Sequence, residues 1–291
     1  MENSIESIEL SVLGQTIRGW TSGPEDGVPV LALHGWLDNA NSFAPLAQIL
    51  GAGYRLVAVD LPGHGLSDHR RAGASYAFAD WVAPVTGLVD ALGWEKFVLM
   101  GHSMGAGIAT LVAGTFPERI RSLILLEGLG PLTTTPEKSP AQLARHVRNR
   151  LEQEVVRNAR TFKDREEAAQ RLSEAVQGLP LEAARLLVER GTKQVAGGYT
   201  WSTDGRLKTP SSLRLSEEHV LAFLQAIAAP SLLILGESGM RFPESTYSRR
   251  RGSLDGLKVE KIPGGHHVHM ESHVAVATSI AEFLNPLLDH S

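Results

Sequence analysis

Short runs rich in Val, Ile and Leu recur along this chain with helical patterns between them, and that alternation permits few architectures. The clearest are Val28 to Leu33, Tyr54 to Val59, Phe97 to Met100, Leu123 to Leu126, Ser231 to Leu235 and Leu257 to Ile262. Strands joined through helices pair in parallel and are covered on both faces. Two weaker alternating stretches, Ile5 to Val12 and Thr16 to Thr21, predict an antiparallel hairpin at the sheet edge with Gly14 in its turn. The expected architecture is therefore α/β, a mostly parallel eight-stranded sheet flanked by helices.

Between Gly128 and Pro230 the strand pattern nearly vanishes, and charged amphipathic stretches such as Ala141 to Arg157 and Arg165 to Val176 replace it. The pattern resumes at Ser231, so this segment is an insertion that leaves the sheet at one edge. A helical lid over the strand ends is the economical geometry, which divides the chain into a core of 1–128 with 229–291 and a lid of 129–228. Arg145, Arg148, Arg150, Arg157 and Arg160 read as a solvated face partnered by Glu152 and Glu154, in preference to an anion site. Gly197-Gly198 before Tyr199-Thr200-Trp201 predicts a turn and short strand in the lid, and Arg249-Arg250-Arg251 an exposed helix end.

A chain of 291 residues accommodates one large domain with an insertion or two small ones, and the order of elements favours the first. With 43% hydrophobic and 21% charged residues there is ample material for a buried core. A net charge of -4 gives no field that attracts phosphate backbones, which argues against a nucleic-acid partner. The absence of cysteine excludes disulfides, thiolate nucleophiles and Cys-based metal sites, so any nucleophile is oxygen or nitrogen. The opening Met1-Glu2-Asn3-Ser4-Ile5-Glu6 has no apolar run of signal-peptide length, and nothing approaches the roughly 20 apolar residues of a membrane span. The expectation is a soluble, cytoplasmic protein.

Gly101-His102-Ser103-Met104-Gly105 lies directly after the run Phe97 to Met100 and before the helical stretch Ala106 to Ala113. This is G-x-S-x-G between strand and helix, where a tight turn exposes the serine Oγ at the strand's C-terminal end. Glycines two residues to either side remove side chains that would strike the neighbouring backbone, and the helix N-terminus offers donors for an anion. His34-Gly35-Trp36 follows the run Val28 to Leu33, so the main-chain N–H groups of Trp36 and Met104 are candidates for an oxyanion hole. Asp38, Asn39 or Ser42 also reads as the cap of the helix that follows.

Several stretches, in order and with similar spacing, resemble the α/β-hydrolase superfamily. They are His34 to Asn39, Asp60-Leu61-Pro62-Gly63-His64-Gly65-Leu66-Ser67, Gly101 to Gly105 and Gly265-His266. The resemblance covers residues 25–130 and 228–285 and leaves the lid unmatched. His34 to Ala40 together with Gly101 to Gly105, and Arg190-Gly191-Thr192-Lys193 in the lid, are most similar to the serine-hydrolase-like group.

The resemblance implies a histidine base after the last strand, preceded by glycine and five residues before a glutamate, which selects His266 and matches Glu271. A metal reading competes there, since His267 and His269 with Glu271 or His273 could gather around zinc. His34 and His102 belong to the two turn motifs and are not candidates for the base. Many family members carry an Asp after the strand corresponding to Ser231 to Leu235, but here Gly239 stands at that place within Gly236-Glu237-Ser238-Gly239-Met240. Glu127, at the end of the preceding strand, resembles an alternative acid position found among haloalkane dehalogenases and is preferred. Glu237 is the second candidate.

The mechanism implied is acyl transfer through Ser103, with His266 as base, Glu127 as acid and an oxyanion hole at Trp36 and Met104. Small to medium carboxylic esters in an enclosed, largely apolar pocket are the expected substrates, with no metal or organic cofactor. Haloalkane dehalogenase and epoxide hydrolase chemistry is disfavoured because those families use an aspartate where Ser103 stands. Thioesterase, lactonase, C–C hydrolase, perhydrolase and acyltransferase activities remain open, as does a non-catalytic ligand-binding role. A monomer or homodimer is expected.

Overall fold

The computed structural model describes residues 4–50, 53–153, 160–176 and 178–288. Glu154 and Arg157, named above, lie outside the described residues.

The edge hairpin consists of β1 (Ile5–Val12) and β2 (Gln15–Ser22), paired antiparallel from Ile5 opposite Ser22 to Val12 opposite Gln15. Its turn residues Leu13 and Gly14 have φ of 51° and 71°, the left-handed backbone of the tight turn that matches strand twist. The strands β3 (Val28–Leu33), β4 (Tyr54–Val59), β5 (Phe97–His102) and β6 (Ile120–Leu126) follow in the order of the apolar runs. A separate two-stranded hairpin is made by β7 (Thr192–Val195) and β8 (Gly198–Trp201), with Ala196 and Gly197 in its turn and Gly198 opening the second strand. The sequence closes with β9 (Ser231–Gly236) and β10 (Lys258–Ile262). The main sheet has eight strands in the order β1-β2-β4-β3-β5-β6-β9-β10. Pairings β1 with β2 and β2 with β4 are antiparallel, and all others are parallel.

The central strands are apolar on both faces because each face meets a helical layer. Leu31, Val57 and Leu99 point into a core shared with Val85, Leu88, Ile108 and Val112. Their neighbours Val30, Ala58 and Val98 point the other way, onto Phe43, Leu46, Val276 and Ile280. The chain runs from β3 outward to β4 and then returns to the other side of β3 as β5, so the direction of winding reverses between β3 and β5. At such a reversal the loops leaving two adjacent strands part and open a crevice at the carboxyl ends. His34-Gly35-Trp36 and the Ser103 turn leave those two strands.

Between β6 and β9 lie the helices Ser139–Gln153, Arg165–Ala175, Leu181–Gly191 and Glu217–Ala226 and the β7–β8 hairpin. A third apolar cluster, including Phe162, Ala169, Ala184, Leu187 and Val188, is built within this stretch and reaches the main body through Met270. Arg190 ties it down: its Nε lies 2.9 and 2.8 Å from the two oxygens of the fully buried Asp60. Asp60 also accepts from the N–H groups of Ala40 and Leu66, each at 2.8 Å. Among the described residues no helix is long and apolar enough to cross a membrane.

One expectation about the surface fails. Arg249 and Arg251 are exposed, but Arg250 is 2% exposed. Its guanidinium forks onto Glu217 at 2.8 and 2.7 Å and donates to the Leu129 carbonyl at 2.8 Å. Three consecutive residues span about 200° of a helix, and here the middle arginine turns inward to a carboxylate. Removing one member leaves a buried charge uncompensated, so Arg250→Ala should cost about 3 kcal/mol or more. Arg249→Ala should stay within about 0.5 kcal/mol, both read from urea unfolding midpoints.

Candidate active site

Strand β5 ends in a reversal that places Ser103 at φ 51° and ψ −109°, outside the regions that L residues ordinarily adopt. Its surroundings hold that conformation in place. Ser103 N–H donates to the Leu126 carbonyl at 2.9 Å, and its own carbonyl accepts from Gly107 N–H at 3.1 Å. A Cβ on Gly101 would lie 2.3 Å from the Gly105 carbonyl oxygen, and one on Gly105 would lie 2.0 Å from that of Leu33. The turn therefore closes only with glycine on both sides. Met104 opens the helix Met104–Thr115, whose first N–H groups have no intrahelical acceptor.

His266 follows β10 in a loop shaped by Glu271, whose carboxylate accepts from Gly265 N–H at 2.7 Å and His267 N–H at 3.1 Å. The imidazole Nε2 stands 2.9 Å from Ser103 Oγ, and Nδ1 stands 3.1 Å from Glu127 Oε2. A carboxylate only accepts, so Nδ1 carries the hydrogen and Nε2 presents a lone pair to the serine hydroxyl. Glu127 is wholly buried at the end of β6, with φ 54°. Its other contacts are N–H donors, Gly236 at 2.6 Å and Met240 at 2.5 Å. Glu237 points elsewhere: its side chain is exposed, and its backbone N–H pairs with Ile262. Gly239 has a steric reason, because a Cβ there would sit 2.2 Å from Glu127 Oε1 and 2.3 Å from Oε2. A side chain at that position and the Glu127 carboxylate exclude each other.

A family model for the alpha/beta hydrolase fold matches residues 28–273. The chain belongs to this family. Over 98% of its length it is 33% identical to a serine hydrolase-like protein of Danio rerio, 90% of which is covered. Among solved structures, a hypothetical protein from Pseudomonas aeruginosa PAO1 superposes with a TM-score of 0.91 at 41% identity, covering 96% of this chain and 99% of that one. The thioesterase domain from the curacin biosynthetic pathway superposes with a TM-score of 0.85 at 30% identity, with coverage of 96% and 99%.

In this α/β hydrolase the loop after β3 is pinned by His34, whose Nδ1 lies 2.7 Å from the Gly35 carbonyl while Nε2 accepts from Leu61 N–H at 2.9 Å. Burial holds that ring neutral, with its pKa pushed down to about 4. Leu33 of β3 is in register with Gly101 of β5, so Trp36 and Met104 follow their strands by equal steps. The Trp36 side chain is half exposed, and its indole N–H donates to the Leu207 carbonyl at 3.1 Å. Of the three candidate caps Asn39 takes the position, accepting from Asn41 N–H at 3.1 Å.

The zinc set suggested by the sequence does not assemble. His269 Nε2 lies 2.6 Å from Ser42 Oγ, His273 Nδ1 lies 3.2 Å from the Met270 carbonyl, and Glu271 serves the backbone. His267 turns to Asp38, with Nε2 3.1 Å from Oδ2. The residues that converge are Asp38, His102 and His267, whose potential ligand atoms all lie within 4.8 Å of one another. Asp38 and His102 carry no spacing signal that would group them with His267, because the three sit on separate segments: the loop after β3, the end of β5 and the loop after β10.

A cleft of about 1190 Å³ opens among the segments between β6 and β9 and the loops bearing Leu37 and Ala72. Its lining is apolar in part, through Phe162, Leu172, Leu187 and Trp201. Arg150, Arg160, Arg171, Lys193 and Lys208 also line it; Ser103, His266 and Met104 are not in its described lining, which meets the loop after β3 at Leu37 and Asn39. The acid in the described lining, Asp204, is already forked by Arg206. Arg145, Arg148, Arg150 and Arg160 are all exposed, as expected of a solvated face, and Arg150 and Arg160 also border the cleft.

Two variants separate the carboxylates. Glu127→Gln should lower kcat on an activated ester by about four orders of magnitude, and Glu237→Gln by less than about threefold, with both proteins folded by circular dichroism. Gly239→Ala should resemble Glu127→Gln in activity, because its methyl group displaces the carboxylate.

Proposed function

We propose that this chain is a serine-dependent hydrolase that cleaves small to medium carboxylic esters through an acyl-enzyme. The observation that carries the reading is the continuous chain from Ser103 Oγ to His266 Nε2 at 2.9 Å and from His266 Nδ1 to Glu127 at 3.1 Å. Ser103 Oγ attacks the carbonyl carbon while His266 Nε2 takes its proton, and the imidazolium that forms is stabilised by the Glu127 carboxylate. The backbone N–H groups of Trp36 and Met104 receive the oxyanion. His266 then returns the proton to the leaving alcohol, and a water deprotonated by the same nitrogen attacks the acyl-enzyme and releases Ser103. Residues 129–228 act as a cap over this centre. The serine nucleophile sets the reaction apart from aspartate-based dehalogenation and epoxide opening.

The basic cleft favours a second reading of substrate, an anionic acyl group or a thioester with a phosphate-bearing carrier. Six Lys and Arg side chains line one cleft of a chain with net charge -4, and the five besides Arg206, which Asp204 offsets, concentrate negative ligands there. The relationship to a thioesterase domain points the same way.

The test is a fluorophosphonate probe run beside matched neutral and anionic esters and thioesters of graded acyl length. Ser103→Ala should abolish labelling and lower turnover by three or more orders of magnitude while the fold survives. Near wild-type turnover in that variant would overturn the serine mechanism, and a wild-type protein that neither labels nor turns over would point to a ligand-binding role. Under the second reading kcat/KM for the anionic member of each pair should exceed the neutral one and fall as salt rises, since added ions screen the cleft.

A further inference from the structure

We infer that Asp38, His102 and His267 bind one divalent transition-metal ion of the zinc class, seated between the turn that carries Ser103 and the loop that carries His266. The inference is independent of the substrate reading above. Its basis is an imbalance of donors and acceptors. His102 Nε2 lies 2.7 Å from the His266 carbonyl oxygen, which can only accept, so Nε2 carries the hydrogen. In the neutral ring Nδ1 is then a bare lone pair. It is buried, has no hydrogen-bond partner, and faces Asp38 Oδ2 at 3.5 Å. Two acceptors turned toward each other in a buried site repel unless a cation lies between them.

His267 completes the set. Its Nε2 approaches the same oxygen at 3.1 Å and carries the hydrogen when no ion is bound, while its Nδ1 has no hydrogen-bond partner and can take that hydrogen when Nε2 turns to a metal. In a tetrahedral site with arms of about 2.0 to 2.1 Å, neighbouring ligand atoms stand about 3.3 Å apart, close to the 3.5 and 3.1 Å from Asp38 Oδ2, and the three atoms together lie within 4.8 Å of one another. The side chains of His102 and His267 are 1% and 8% exposed, and that of Asp38 is 11% exposed, so the ion would be largely enclosed. A methyl group at Gly35 would lie 2.8 Å from both Asp38 Oδ2 and His102 Nδ1, so glycine leaves that side of the pair open. Two imidazoles and one carboxylate suit Zn²⁺, Co²⁺, Ni²⁺ or Cu²⁺, whereas Mg²⁺ and Ca²⁺ call for oxygen ligands. A water can take the fourth position. Coordination through His102 Nδ1 preserves the Nε2–H bond to the His266 carbonyl. The ion would therefore brace the two catalytic loops without entering the acyl transfer.

The experiment uses the untagged full chain stripped with chelator and titrated with Co²⁺, then with competing Zn²⁺. One equivalent should bind with the visible d–d absorption of a tetrahedral centre, and Zn²⁺ should bleach it and raise Tm. Asp38→Asn and His267→Gln should each weaken binding at least tenfold, while His273→Gln, at a histidine outside the set, should bind as wild type does. The wild-type absorption tests the site even where a variant fails to fold. No saturable binding, an octahedral spectrum, or equal affinity in the folded variants would overturn the inference. The lone pair of His102 would then be answered by a proton.

Discussion

The buried carboxylate of Glu127 is the constraint on which the rest of this site depends. A fully enclosed negative charge is tolerable only when its lone pairs are answered, and here Gly236 N–H, Met240 N–H and His266 Nδ1 answer them. Those three donors come from the end of β9, the loop after it and the loop after β10, whereas Glu127 itself ends β6. One carboxylate thus fixes the relative placement of three chain segments and sets the tautomer of His266. The empty side of Gly239 is the complement of the same charge, because no side chain fits between that backbone and the carboxylate.

Against this anchor the Ser103 turn holds its strained backbone. A left-handed, non-glycine conformation costs about 1 to 3 kcal/mol and persists only where the surroundings over-determine it. The two apolar layers around β3 and β5 do so, together with the contact of Gly105 beneath Leu33. The stretch between β6 and β9 is held differently, by its own apolar cluster and by the Arg190–Asp60 pair. Its basic cleft rests on that mounting. An ion pair between a wholly buried carboxylate and a largely buried guanidinium, with Arg190 Nε shared between the two Asp60 oxygens, holds the end of the Leu181–Gly191 helix to the loop after β4.

The end of β5 and two loops meet beside His266 through His102, Asp38 and His267. Burial favours the neutral form of both imidazoles, most strongly at His102, whose pKa is pushed down to about 4. At His267 the Asp38 carboxylate overrides burial and raises the value. The two rings differ in their other neighbours: His102 is also opposed by His267 and His266, whereas His267 is further supported by Glu271 and Glu127.

By itself the sequence determined what local periodicity and steric necessity can encode. Strands with apolar residues on both faces, the Leu13-Gly14 turn and the turn at Gly197, and a serine flanked by glycines between strand and helix are legible because each depends on residues within a few positions. His266 was singled out by the resemblance, whose pattern pairs it with Glu271, and the Glu271 carboxylate closes the loop over that same short stretch. The sequence left the acid open, since Glu127 and Glu237 both lie between Ser103 and His266 in chain order. Which carboxylate stands beside His266 is decided by the pairing of β6 with β9, which buries Glu127 against backbone N–H donors and leaves Glu237 in solvent. Arg250 and the Asp38–His102–His267 convergence were invisible for the same reason. Their partners lie on distant segments, and only tertiary packing sets the distances over which charges and lone pairs act.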